Sequence, residues 1–218
     1  MNVEKIISQD LPTLIAEDTV DTALQYMEDW KVSHLAVLDG NKLLGLVEES
    51  GLLSFDADIT RLKDVPLLDH RVHPHQHVYE VIEIFADFKL TTLPVADGEG
   101  VYKGEISLQS LVEYFAEMQS VRAEGSIIVL EMNDIDYSLA TLARLVEEND
   151  AKVLSASITN IDDSRRIQVS LKINKTEITA IVQTLQRFDY VIKAFFDAPT
   201  FEDDLRRRYD ELMRYLNI

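Results

Sequence analysis

The 218 residues contain no cysteine. That excludes disulfides, thiol catalysis and thiolate metal sites, and it fits a reducing cytoplasm. Glycine is scarce, at seven residues, which leaves little material for a backbone loop that cradles an anion. Positive charge is also short: 21 Lys and Arg stand against 39 Asp and Glu, a formal net charge of −18. Such a field repels phosphate backbones and anionic lipid, so nucleic acid and membrane surfaces are poor partners, although a local site can still oppose the global charge. No run of about 18 apolar residues occurs, so no membrane span is expected. The N-terminal stretch MNVEKIISQDLP lacks a basic region followed by an apolar core, so no signal peptide is expected either. Gly-x-Ser-x-Gly, a phosphate-binding glycine loop and His-Glu-x-x-His are all missing, and the chain reads as a non-enzyme.

What is present is a globular composition, 46% apolar and 28% charged, long enough for one large or two modest domains. The segment from Thr19 to Leu53 is written twice. Val20, Asp29, Lys31, Leu35, Val37, Asp39 and Gly40 fall on Val78, Asp87, Lys89, Leu93, Val95, Asp97 and Gly98. One extra residue after Gly98 then shifts the register, and Gly45, Val47 and Leu52 meet Gly104, Ile106 and Leu111. Matching periodicity, turn position and identity, broken by one loop residue, indicates an internal duplication. Function is therefore to be sought between the copies.

Each copy reads as β-α-β-β-α. In the first, Ile6 to Ala16 is an extended lead-in and Thr19 or Asp18 caps a helix over 20–30. Strands over His34–Leu38 and Leu43–Val47 flank the hairpin turn Asp39-Gly40-Asn41, and Ser50–Phe55 starts a helix. In the second, Val65–Leu68 is the lead-in, Val78–Phe88 the helix, Thr92–Ala96 and Tyr102–Ile106 the strands, and Leu108–Met118 the closing helix. One such unit has too little core to stand alone, so the copies should pack on each other.

Both copies resemble cystathionine-β-synthase (CBS) domains. The pattern is carried by Leu93-Pro94-Val95-Ala96-Asp97 with Gly104-Glu105-Ile106-Ser107, and by Leu35-Ala36-Val37-Leu38-Asp39 with Gly45-Leu46-Val47-Glu48. The resemblance spans roughly residues 1–120, repeat one about 1–58 and repeat two about 59–120. It implies a tandem pair related by a pseudo-two-fold, often dimerised, that holds adenosine-containing ligands in two clefts. In nucleotide-binding members a Ser or Thr after the Gly-apolar-apolar strand, and an Asp three residues on, touch phosphate and ribose. Copy one has Glu48 and Gly51 there, and copy two keeps Ser107 but has Ser110 in place of the Asp. A nucleotide, whether AMP, ADP, ATP or S-adenosylmethionine, is expected in the copy-two cleft at Leu93, Pro94, Val95, Ser107 and Ser110. Clefts that serve structure alone are the competing reading.

After Gly125 the pattern changes. Strands are expected over Ser126–Met132, Ala151–Thr159, Arg165–Ile173 and Tyr190–Phe196, with helices over Ser138–Glu148 and Thr176–Phe188. That order, βαββαβ, is the ferredoxin-like arrangement. Residues 125–198 look like an ACT domain, a regulatory module that often binds amino acids and often pairs between subunits. Members that bind amino acids carry Asp-x-Pro-Gly-x-Leu after the first strand. Here the segment is Asp134-Ile135-Asp136-Tyr137-Ser138-Leu139, so a side chain stands where backbone is needed. Residues 199–218 form an amphipathic helix in this reading, apolar at Phe201, Leu205, Tyr209, Leu212, Met213 and Leu216.

His70, His73, His75 and His77 crowd one connection, and a metal site there is set against simple exposure of a loop. His34 opens a core strand and reads as a satisfied, partly buried histidine. The expected fold is α+β, a CBS pair followed by an ACT-like domain and a helix. The expected function is a cytoplasmic homodimeric regulator that senses a small molecule, and the alternative is an interaction scaffold with empty clefts that recruits a protein partner.

Overall fold

The computed structural model describes residues 3–161 and 165–196. Tertiary contacts divide the chain into two units, Met1–Phe115 and Ala116–Ile218. The amphipathic helix expected over 199–218, and the acidic turn at Asp162 and Asp163, lie outside the described residues.

The first unit contains β1 (Leu14–Ile15), α1 (Val20–Trp30), β2 (His34–Asp39), β3 (Lys42–Glu48) and α2 (Glu49–Leu52) from copy one. Copy two supplies α3 (Val78–Phe88), β4 (Thr92–Ala96), β5 (Tyr102–Ser107) and α4 (Leu108–Met118). Thr19 caps α1 by accepting the Thr22 amide at 3.1 Å, and His77 caps α3 in a reciprocal box with Glu80. Both helices end on a lysine in the left-handed region, Lys31 at φ 55° and Lys89 at φ 53°. Val20, Ala23 and Met27 of α1, and Val78, Val81 and Phe85 of α3, are buried at helical spacing. The antiparallel pairs β2–β3 and β4–β5 match in register, with Val37 opposite Gly45 and Val95 opposite Gly104.

The lead-in of copy two differs from the sequence expectation. Leu14 bridges Val37 in parallel, and its counterpart is Val72 bridging Val95, not the stretch Val65–Leu68. Leu68 instead pairs with Leu46 of copy one, amide to carbonyl in both directions at 2.9 and 2.8 Å. Ser8 of copy one pairs with Glu105 of copy two in the same way, at 2.9 Å each. Each copy thus hands its first segment to the hairpin of the other. Gly45 and Gly104 lie under these crossings. A Cβ on Gly104 would sit 2.5 Å from both the Ser8 carbonyl oxygen and Ile7, and one on Gly45 would sit 2.8 Å from Leu67 and 3.0 Å from the Leu68 oxygen. The duplicated glycine is a requirement for close backbone approach. The hairpin tips also meet, Leu43 donating to Gly100 and Tyr102 to Asn41.

The second unit has β6 (Ser126–Asn133), α5 (Leu139–Glu147), β7 (Val153–Asn160), β8 (Arg166–Ile173), α6 (Thr179–Arg187) and β9 (Val191–Phe196). Its sheet order is β7-β8-β6-β9, antiparallel throughout, which is the ferredoxin-like connectivity the element order predicts. Ile128, Leu130 and Met132 alternate along β6 and, with Val169, Leu171 and Ile173, bury against Leu142, Leu145, Ile181 and Leu185 of the helices.

Candidate functional site

One concavity of copy two opens at the start of α4. Ser107 and Ser110 cap that helix mutually: the Ser110 amide donates to Ser107 Oγ at 3.0 Å and the Ser107 amide to Ser110 Oγ at 3.2 Å. The two hydroxyls meet at 3.1 Å, and Ser110 Oγ donates onward to the Ser107 carbonyl at 2.9 Å. Around them lies a cleft of about 470 Å³. Its walls are the crossing segment of copy one (Ser8, Asp10 and Leu11), the end of α1 with its following residues (Trp30, Lys31 and Val32), Thr91, and α4 through Glu113. Copy one cannot be built the same way at the corresponding helix. Glu48 occupies the cap position of α2 without a side-chain cap bond, and Gly51 stands where Ser110 is.

Of the residues expected in this site, Ser107 and Ser110 line the cleft. Leu93, Pro94 and Val95 do not: they form the middle of β4, and Leu93 and Val95 are fully buried because both faces of that strand are covered. Trp30, Lys31 and Asp10 come from far away in sequence: Asp10 arrives on the crossing lead-in segment, and Trp30 and Lys31 at the end of α1.

A family model for the CBS domain matches residues 3–58 and 62–117. The chain belongs to the CBS-domain family. The two matches are the two copies, and together they form a CBS pair. A solved CBS domain pair/ACT domain protein from Thermotoga maritima is 30% identical over 54% of this chain and 98% of that one, at a TM-score of 0.49. A Vibrio cholerae protein described as an acetoin utilization protein (AcuB) is 26% identical over 56% of this chain and 95% of that one, TM-score 0.49. An inosine-5'-monophosphate dehydrogenase from Methanocaldococcus jannaschii is 26% identical over 130 residues, 58% of this chain and 26% of that one. The chain spans about a quarter of the length of the curated relatives it matches.

The seam between the CBS copies holds a buried acid. Glu105 is fully buried on β5, and its Oε1 accepts the Ala36 amide of copy one at 3.1 Å. Burial pushes its carboxyl up to about 7, and the Ala36 amide with the Thr92 and Tyr102 hydroxyls offsets part of that. Those hydroxyls lie near but leave Oε2 without a well-formed hydrogen bond among the described residues. Burial and the adjacent Glu105 in turn push the Tyr102 phenol up. Across the seam, Thr92 Oγ1 donates to the His34 carbonyl at 2.9 Å and the Ser33 amide to Thr91 Oγ1 at 2.9 Å. His34 Nδ1 lies 3.1 Å from Thr91 Oγ1 and accepts the Thr91 amide at 3.3 Å, and burial holds its pKa below the usual imidazole value.

The crowded histidines serve separate structural ends. His70 packs on the Phe88 ring at 4.0 Å, His73 Nδ1 meets the Ala96 carbonyl at 3.0 Å, His75 lies 3.2 Å from Glu4, and His77 caps α3. No group of three or more metal-ligating side chains is present among the described residues, and no helix among them is long and apolar enough to cross a membrane.

In the second unit, the segment between β6 and α5 is a single 3-10 turn, Asp134–Asp136, held by the Asn133 side chain on Asp136 at 3.0 Å. Tyr137 has an ordinary φ of −71° and packs against the core of the unit, which is why no glycine is needed there. Glu131 nearby is paired with Arg166 and with Lys193, and the Lys193 ammonium, followed by Arg166, holds its carboxyl below the usual range.

Proposed function

We propose that the chain is a non-catalytic regulatory protein whose CBS pair senses a small adenosine-containing molecule, an adenine nucleotide (AMP, ADP or ATP) or S-adenosylmethionine. The observation that carries this reading is the copy-two cleft, which Ser107, Ser110 and Thr91 line together with an aromatic side chain, Trp30, that is half exposed. A purine can stack on the indole while hydroxyls orient the sugar. The ligand site is single in this proposal, because copy one lacks both hydroxyl positions. The second unit acts as an ACT-like assembly module in a cytoplasmic homodimer, and ligand control follows from different affinities of the cleft for two packings of the pair.

The test is built into the sequence. Trp30 is the only tryptophan, so its fluorescence reports the cleft directly. Titration with adenosine compounds should change that emission saturably, and ligand at 100 times its dissociation constant should stabilise the fold by about 2.7 kcal/mol. Ser107→Ala should weaken binding at least about fivefold, and it should lower intrinsic stability by about 1 kcal/mol through the lost cap. Unchanged fluorescence and unchanged stability with every adenosine compound would remove the sensor reading.

The second reading, a scaffold with ligand-free clefts, is favoured by the mutual bonding of Ser107 and Ser110, whose hydroxyls are already satisfied. It is also favoured by the apolar groove between α3 and α4, where Leu108, Val112 and Phe115 are exposed.

A further inference from the structure

Three ionisable side chains line the copy-two cleft: Asp10, Lys31 and Glu113. Two are acids, and the single base also approaches Glu28, at 4.0 Å on the surface. The cleft therefore carries net negative charge inside a chain whose formal charge is already −18. The second device that would hold a phosphate, the N-terminus of α4, has most of its amides already engaged. The Leu108 amide donates to the Thr91 carbonyl at 2.9 Å, and the Ser107 and Ser110 amides donate to each other's hydroxyls. Amides that already have an acceptor leave a helix N-terminus fewer donors for an anion.

The same carboxylates are good acceptors for a neutral or cationic ligand. Asp10 takes the Ser8 hydroxyl at 2.7 Å and Glu113 takes the Gln109 side chain at 3.1 Å, bonds that hold each acid in place while a carboxylate accepts further donors. A ribose diol or an ammonium would supply those donors. The acid absent at Ser110 is in this way replaced from the crossing segment, by Asp10, and from the next turn of α4, by Glu113.

Building on the reading of this cleft as the sensor site, we propose that it takes an adenosine-type ligand without a phosphate, uncharged or cationic, and discriminates against phosphorylated nucleotides. Asp10 and Glu113 are the specificity-determining residues: they accept hydrogen bonds from the sugar or from an amine, and they repel phosphate. Trp30 with Leu11 and Leu108 provides the apolar surface for the base.

The experiment titrates Trp30 fluorescence of the full chain with adenosine, S-adenosylmethionine, AMP and ATP, and repeats it on Asp10→Asn, Glu113→Gln and the double variant. Both side chains lie on the surface of α4 or of the crossing segment, and far-UV circular dichroism checks that the variants fold. Adenosine or S-adenosylmethionine should bind the natural chain at least about tenfold more tightly than AMP. The double variant should shrink that ratio by about tenfold, strengthening AMP and weakening the cation, and higher ionic strength should reduce the penalty on AMP. AMP or ATP binding as tightly as adenosine, or a ratio the double variant leaves unmoved, overturns this inference and leaves the sensor reading standing. Failure of all four compounds to bind removes both.

Discussion

The two CBS copies share strand register, helix faces, left-handed lysine ends and hairpin turns, yet they differ at the positions where each touches the other. Copy one has Ala36 where copy two has Pro94, and Leu46 where copy two has Glu105. The Ala36 amide points across the seam and is met by the Glu105 carboxylate. Pro94 has no amide to satisfy, and the residue in the equivalent place opposite, Leu46, is apolar and fully buried. A buried donor therefore faces an acceptor, and a missing donor faces a hydrocarbon. The lesson is that duplicated halves diverge in complementary pairs, because a change in one copy is compensated in the other. The closing helices diverge too. Ser107 opens the eleven-residue α4, whereas α2, with Glu48 and Gly51 at the matching places, has four residues, and the cleft lined by Ser107 and Ser110 accordingly belongs to copy two.

The largest expected effect breaks the symmetry of the crossings. Gly104→Ala should destabilise by about 3 kcal/mol or more, since the backbone at φ 133° is strained for any side chain and the added carbon meets a carbonyl. Gly45→Ala, whose nearest contact is the Leu67 side chain and whose backbone is not in the left-handed region, should cost roughly half of that. Urea unfolding of the two variants side by side measures the difference, and equal losses would show that the crossings are not the constraint.

The next effect sharpens the seam. Glu105→Leu should strand the Ala36 amide at a cost of about 1–3 kcal/mol, and adding Ala36→Pro, which copies the arrangement at Pro94 and Leu46, should recover at least about 1 kcal/mol relative to the sum of the single changes. The same carboxyl makes stability pH-dependent. Because its pKa rises from about 4.5 to about 7 on burial, the folded chain keeps a proton that the unfolded chain has lost between those values. Stability should therefore fall as pH rises through that window, by about 1–3 kcal/mol, and level off above it. Glu105→Gln should flatten this slope in chemical denaturation from pH 4.5 to 8.

The smallest effect is a gain. Lys31→Gly and Lys89→Gly should each stabilise by about 0.5–1 kcal/mol, because glycine carries no Cβ penalty at φ 55° and 53°. Equal gains in both copies are expected for stability, while only Lys31→Gly should alter ligand binding.

Much of this molecule could be read along the chain. The helices Val78–Phe88 and Leu108–Met118 and the strand Thr92–Ala96 stand at their expected limits, and the βαββαβ order of the second unit follows its periodicity. Hydrophobic spacing, Asp-Gly turns and cap residues are local signals, and a duplicated segment states them twice. Ser107 and Ser110 were also legible, since both lie within one turn of a helix start. The exchange of lead-in segments was not, although moving Leu14 forward in the register of Val20 onto Val78 lands on Val72. Apolar extended residues at Val65–Leu68 carry no mark of which hairpin they join.

Sequence alone determined the number of repeats, the elements in each and the hydroxyl pair that opens α4, because these depend on contacts a few residues apart. Tertiary structure decided which copy each lead-in strand joins, that Glu105 serves an amide of the other repeat, and that Asp10, Trp30 and Glu113 share one cleft. Those outcomes depend on burial and on backbone donors brought together from distant segments, and neither property is carried by a residue until the chain has packed.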